Sequence, residues 1–253
     1  MRNPQNLRGL QHCPGEQGKA FGIVGIVPRG GAVQGLAIEV GLVYLLNQLY
    51  HQGDLPDIPI YVDSPLAVNV TGIFRRHPEY FDDETRDYLR HLDRDGDIFG
   101  FKRLRYIQDV EESKKLHSRK GPCVIISASG MCEGGRVQHH LKNNIEDPRN
   151  TVLIVGWQAP YTLGRRLVEH APVVRIFGVE YHPEAEVVTL NGFSSHADQP
   201  GLLSWAQAFK KPPEQTFVVH GEPDAAQALA TRLRADLGYQ KVMIPALHQT
   251  INL

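Results

Sequence analysis

Residues Cys123–Asn144 read CVIISASGMCEGGRVQHHLKNN. The first four, Cys123–Ile126, are a short apolar run rich in β-branched side chains, which predicts a buried strand. The last ten, from Gly135 to Asn144, carry the spacing of a helix. Between them lies SASGMCEGGR, Ser127–Arg136. Strand, glycine-rich loop and helix in that order predict an α/β fold built on a parallel sheet. The loop's glycines permit backbone conformations closed to other residues and a close approach to a ligand. The N-terminal N–H groups of the following helix point back at the loop, and Ser129 and Arg136 add a hydroxyl and a guanidinium. Two readings stay open on spacing alone: a phosphate-holding loop, or a strand-to-helix turn that serves only packing. The loop lacks the G-K-[ST] of a Walker P-loop. It also lacks the glycine before Ser129 that a nucleophile elbow requires.

The same rhythm runs outward in both directions. Upstream, Leu42–Tyr50 has the apolar spacing of a buried helix, stopped by Gly53 and Pro56. Ile58–Val62 predicts a strand, and 66–76 and 83–91 predict helices. Residues 93–120 are charged and lack a clear period, so loops with short helical pieces are expected there. Downstream, strands are expected at 151–155, 173–177, 186–190, 216–219 and 241–244, and helices at 200–209 and 224–237. The first two dozen residues are polar and weakly patterned and read as a loop or a ragged start.

In open α/β sheets, ligands bind beyond the carboxyl ends of the strands. Those ends are Asp63-Ser64-Pro65, Ser127 to Met131, Asn191 to Asp198, and His220-Gly221-Glu222. His220 closes an apolar strand and meets a glycine. His196 lies in a small-residue loop near Asp198, whose carboxylate could orient an imidazole. The other ten histidines, His140 and His117 among them, read as ordinary core or surface residues. Trp157 and Tyr161 follow the strand at 151–155 and could stack a nucleobase, with core packing the plainer reading. Arg75-Arg76, Lys102-Arg103, Lys114-Lys115 and Arg165-Arg166 read mainly as solvated faces.

The chain has 253 residues, of which 42% are hydrophobic and 22% charged, with a formal net charge of −1. That is ordinary globular composition without a global basic footprint, so any nucleic-acid contact must come from a local groove. Cys13, Cys123 and Cys132 form no C-x-x-C pair, which predicts a reduced, cytoplasmic protein. The start lacks the apolar core of a signal peptide, and no apolar run approaches the ~20 residues of a membrane span.

Taken in order, VDSPLA (62–67), SGMCEGGR (129–136), FSSHAD (193–198) and VHGE (219–222) resemble the β-CASP metallo-β-lactamases, RNA-processing hydrolases that include ribonuclease J. The likeness covers roughly residues 42–253. It implies a mostly parallel β-CASP sheet flanked by helices over 42–172. It further implies that 173–253 is an RNA-specificity segment completing a metallo-β-lactamase αββα fold, with 1–41 an eroded remnant of that domain. It implies His220 as a zinc ligand and His196 as the residue assisting protonation of the leaving oxygen. RNA contacts would come from Asp63, Ser64, Ser129, Gly130, Gly134, Gly135, Arg136 and Ser195.

In the family, two zinc ions are held mainly by H-x-H-x-D-H, which occurs nowhere in these 253 residues. Gly41 also runs straight into Leu42, where the family has intervening polar residues. The resemblance therefore implies the C-terminal part of a zinc-dependent ribonuclease, inactive alone, or else a non-catalytic RNA-binding or scaffold protein of the same descent. RNA is the expected partner. Association with a separate metal-binding half, or with a second copy, is expected too, because a truncated fold would expose apolar surface.

Overall fold

The computed structural model describes residues 21–25, 32–92, 97–190 and 197–251, with side chains from residue 40 onward. The chain divides into two compact units, 1–194 and 195–253.

The first unit is built on a six-stranded parallel sheet. Its strands are β1 (Phe21–Gly25), β2 (Ile60–Val62), β3 (Leu104–Tyr106), β4 (Cys123–Ser127), β5 (Thr151–Val155) and, later in the chain, Glu186–Leu190, in the order β3-β2-β4-β1-β5 and then 186–190. All five pairings are parallel, with Val62 opposite Ile126 and Val152 opposite Val187. The expected α/β class with a mostly parallel sheet is what the chain adopts.

Helices cover both faces of this sheet, as a parallel sheet requires. On one side α1 (Ala32–Gln52) places Val40, Leu42, Val43 and Leu46 in a core with Ile60, Val62, Ile126 and Val155. On the other, α5 (Arg136–Asn144) and α6 (Leu163–Val168) pack Val137, Leu141, Leu163 and Leu167 against Val152 and Ile154. Alternate residues of β5 therefore enter opposite cores, the period of two expected of a strand.

Side-chain caps fix where the intervening helices begin. Ser64 caps α2 (Pro65–Arg76), Asp82 caps α3 (Asp83–His91), Asp109 caps α4 (Val110–Leu116) and Thr162 caps α6. In each case the side-chain oxygen accepts from a backbone N–H of the first turn. A hairpin, β6 (Val174–Ile176) and β7 (Val179–Tyr181), turns on Phe177 and Gly178, both at positive φ, the geometry of tight two-residue turns. The strand at 186–190, β8, then pairs with β5, so the sheet includes a strand beyond residue 172.

Two expectations change. The ragged start contains β1, which lies between β4 and β5 in the sheet. Its sequence, FGIVG, has two glycines in five residues, which weakens a strand pattern that neighbouring strands on both sides nonetheless recruit. The charged stretch 93–120 contains α4, a short helical piece as expected, and also the unexpected strand β3. β3 is a three-residue edge strand, and α4 buries only Ser113 and Leu116, so neither leaves a periodic trace.

The second unit runs α7 (Gln199–Gln207), β9 (Thr216–Phe217), α8 (Pro223–Leu237) and β10 (Val242–Met243). β9 and β10 pair in parallel across the α8 crossover. The unit has its own core of Ala206, Val218, Ala226, Ala230, Leu233, Tyr239 and Val242, and the Tyr239 hydroxyl donates to Ala206 O at 2.8 Å. It also exposes Trp205, Phe209, Val219 and Leu247. Among the described residues, no helix is long and apolar enough to cross a membrane.

Candidate functional site

β2, β4 and β5 end side by side or nearly so, and their loops build the carboxyl edge of the sheet. Asp63, directly after β2, is fully buried. Its carboxylate receives Ser113 Oγ from α4 at 2.6 Å, Arg136 Nη1 from α5 at 2.6 Å and His140 Nε2 from α5 at 2.6 Å. Arg136 and His140 are one helical turn apart, so both reach the same group. Backbone contacts tie β2 to β4 at the same point: Asp63 N donates to Ile126 O at 2.7 Å, and Ser127 Oγ donates to Asp63 O at 3.1 Å.

Burial alone would push the Asp63 carboxyl up, but the hydrogen bonds from His140, Ser113 and Arg136 outweigh it and hold the group below the usual carboxylate range. An ionised carboxylate only accepts, so His140 carries its proton on Nε2. Its Nδ1 is also buried and has no hydrogen-bond partner. His117 stacks edge-on against His140, ring centroids 5.0 Å apart, and its Nε2 is likewise unpartnered. Burial, followed by the neighbouring His140, pushes the His117 imidazole down.

This network draws inward three residues expected to face a ligand. Asp63 is enclosed. Ser64 is buried too, and its hydroxyl accepts from Ala67 N at 3.2 Å as the cap of α2. Arg136 spends its guanidinium on Asp63, on Ile107 O at 3.2 Å and on Gln108 O at 2.6 Å. Its task here is to fasten α5 to the ends of β2 and β3, not to stand in the loop as a loose cation. His140 and Ser113, which sequence reasoning passed over, complete the network. The signal was present in Arg136 and His140 at i, i+4 on the helix after the glycine loop.

The loop after β4 is packed as well as open. Met131 and Cys132 are buried, and the Cys132 thiol is pushed up to about 12, first by burial. Met131 O accepts from Gly164 N at 3.0 Å, Met131 Sδ faces Ala159 N at 3.2 Å, and the Glu133 carboxylate accepts from Leu163 N. The loop after β4 is thus bolted to the loop that starts α6. Gly130 is buried, Ser129 and Gly134 are half-buried, and Gly135 is exposed. Gly135 sits at φ +79°, and a Cβ there would lie 2.8 Å from Ala128 O, so only glycine fits. Packing thus accounts for the middle of the loop, Gly130 to Cys132, while Ser129 and residues 133–135 remain accessible.

Trp157 and Tyr161 overturn the expectation of core packing. Trp157 is 55% exposed and Tyr161 97% exposed. Of the basic runs, Arg75 pairs with Asp97 and Lys114 with Glu111, each at 2.6 Å, and Arg103 pairs with Asp57. These are solvated surface pairs.

In the second unit, His220 is exposed and lies at φ +63°, immediately after β9 and Val218-Val219. A non-glycine residue on left-handed backbone is uncommon and marks a local constraint. His196 and Ser195, like Cys13, lie outside the described residues. Asp198 caps α7, its Oδ1 accepting from Gly201 N at 2.9 Å. A catalytic zinc takes about three protein ligands. Among the described residues no three His, Cys, Asp or Glu side chains cluster to hold a metal ion. His220 is a single donor, and the described residues do not by themselves fit a zinc centre.

Comparison with known proteins places these features. A model of the β-CASP domain matches residues 40–167, and a model of the Zn-dependent metallo-hydrolase RNA specificity domain matches residues 180–245. A ribonuclease of Thermus thermophilus is 39% identical over 190 residues, 75% of this chain and 42% of that protein. The transcription termination factor FttA of Methanosarcina mazei is 30% identical over 227 residues, 86% of this chain and 34% of that protein. An RNase J-like protein of Methanocaldococcus jannaschii is 29% identical over 182 residues, 72% of this chain and 40% of that protein. The chain thus spans between a third and somewhat over two fifths of the length of these relatives.

Proposed function

This chain belongs to the β-CASP family of RNA-processing metallo-hydrolases, and we propose that it supplies the RNA-holding part and the late site histidines of a zinc-dependent phosphodiester hydrolase. In this reading His220 is one metal ligand, and His196 assists protonation of the leaving oxygen. Zinc would supply a nucleophile and charge stabilisation when bound. The remaining ligands come from a metal-binding segment that this sequence does not contain, so the chain by itself binds RNA without cleaving it.

His220 carries the reading. It is exposed at a strand end, where an α/β site belongs, on left-handed backbone. The exposed apolar side chains of the second unit, Trp205 and Phe209 among them, support docking of such a segment, with self-association as the competing outcome. RNA contact falls to the outward parts of the glycine loop, Ser129, Gly134 and Gly135, and, through the resemblance, to Ser195. The competing reading, a non-catalytic RNA-binding protein, is favoured by the absence of a three-ligand cluster among the described residues.

Metal analysis and an RNA assay on the purified chain test this together. The chain should hold less than one equivalent of zinc, bind single-stranded RNA with salt-sensitive affinity and leave it uncut when zinc is added. Two tightly held zinc ions, or cleavage abolished by His220→Ala, would show that the chain completes the centre unaided. Addition of a metal-binding segment from a relative should restore cleavage that His220→Ala removes. If it does not, the non-catalytic reading stands.

A further inference from the structure

The loop from Gly156 to Thr162 shows two large aromatic side chains to solvent while the rest of it is tied down. Gln158 is buried, and its side-chain oxygen occupies the space that a Cβ on Gly164 would need. Ala159 N contacts Met131 Sδ at 3.2 Å, and Thr162 Oγ1 donates to Ala159 O at 2.7 Å. Arg165 Nη1 reaches back to Gln158 O at 3.4 Å. Against this anchored backbone Trp157 is 55% exposed and Tyr161 97% exposed. Neither contributes a core contact in proportion to its size.

Tyr161 also lies at φ +69°, a region that bulky L-residues enter at an energetic cost. Phe177 shares that sign of φ, and there a two-residue hairpin turn imposes it. A turn from Ala159 to Thr162, closed by Thr162 N donating to Ala159 O at 3.3 Å with Pro160 in second place, sets the positive φ of Tyr161, at the position where such turns favour glycine. A glycine would sit there without strain, so folding alone favours losing this ring.

We infer that Trp157 and Tyr161 form a stacking platform for the bases of single-stranded nucleic acid, beside the glycine loop after β4. The inference rests on the RNA reading above and deepens it. Base stacking on aromatic faces needs no sequence-specific hydrogen bond and no net positive charge, which suits a chain whose formal charge is −1. Rigid attachment matters because a ring held in place loses little freedom on binding. The shared anchor through Met131 and Glu133 fixes the platform relative to the loop that would hold the phosphate.

The chain has two tryptophans, so a Trp205→Phe background makes Trp157 the sole tryptophan emitter. In that background, titration with a 12-nucleotide oligouridylate should quench Trp157 emission to saturation, and duplex RNA of equal length should quench it weakly. Trp157→Ala and Tyr161→Gly should each weaken binding roughly five- to hundredfold, with the salt dependence unaltered because no phosphate contact is lost. Trp157→Phe should retain most of the affinity. Tyr161→Gly should unfold at the same urea concentration as the parent or a higher one, which separates lost binding from lost folding.

Oligouridylate binding that persists unchanged in both variants, with constant Trp157 emission, overturns the platform and leaves the RNA reading intact. Loss of self-association in Trp157→Ala at unchanged RNA affinity overturns it in favour of a protein contact. A parent chain that binds no single-stranded RNA brings down the RNA reading itself, and the platform with it.

Discussion

At Asp63 three donors from two helices meet one buried carboxylate, and removing Arg136 takes away its cationic partner. Arg136→Ala should lower stability by about 3 kcal/mol, toward the bottom of the range for breaking a buried pair because Arg136 keeps some solvent contact. Arg136→Lys should recover only part, since a point ammonium cannot reproduce the fork to Asp63, Ile107 O and Gln108 O. Urea unfolding followed by circular dichroism measures both. The same carboxylate gives a pH signature. Its folded pKa lies below its unfolded value of about 3.9, so its stabilisation is complete above that pH and is lost as pH falls through the folded value. Between pH 5 and pH 3 the parent should therefore lose stability more steeply than Asp63→Asn. Parallel slopes would mean that the carboxylate is not held ionised. Two buried thiols lie nearby in the same unit. Burial pushes Cys123 up and Cys132 up to about 12, which removes the reactive thiolate. In a Cys13→Ser background, an aromatic disulfide reagent should find no fast thiol in the native chain and two in urea.

Among the elements, the glycine loop is fixed by backbone geometry, and this makes its ends testable. Gly135→Ala forces a Cβ against Ala128 O and an L-residue into φ +79°, and it should cost roughly 1–3 kcal/mol. Ser64→Ala, which removes only the cap of α2, should cost about 1 kcal/mol. A smaller effect for Gly135→Ala than for Ser64→Ala would mean that the loop yields more readily than its contacts imply. The sequence made β2, β4, β5 and α5 legible because each is an apolar run or a helical period bounded by turn residues. It hid β1, β3 and α6 for one shared reason. These elements are short, glycine-containing or largely exposed, and neighbours define them more than their own pattern does. The site divided along the same line. Strand ends pointed to the edge where Asp63 and the glycine loop lie, but not to which side chains turn inward. Asp63 and Arg136 read as ligand-facing because charge at a strand end usually is. Only the approach of α4 and α5, which no local pattern encodes, converts them into an internal lock with His140 and Ser113.

For the molecule as a whole, the two units differ in what each can bury. The first has cores on both faces of a six-stranded sheet, filled by Ile60, Ile125, Ile126, Leu141, Ile154 and similar side chains. The second has one core in which three of seven residues are alanines and whose two strands have two residues each. Apolar area removed from water sets the main favourable term at ~25 cal/mol per Å², and small domains bury a lower fraction of their surface. The second unit should therefore open at a lower free energy than the first. Native-state hydrogen exchange should show amides of α8 exchanging through a lower-energy opening than those of β4 and β5. Leu233→Ala should sharpen the contrast, because a leucine-to-alanine change in a core costs roughly 2–5 kcal/mol. That approaches what so small a core can supply. Protection across α8 should then collapse while β4 and β5 keep theirs. If β4 and α8 instead lose protection together at one denaturant concentration, the chain folds as a single cooperative body. His220 would then be held in place by the whole molecule and not by the small unit that carries it.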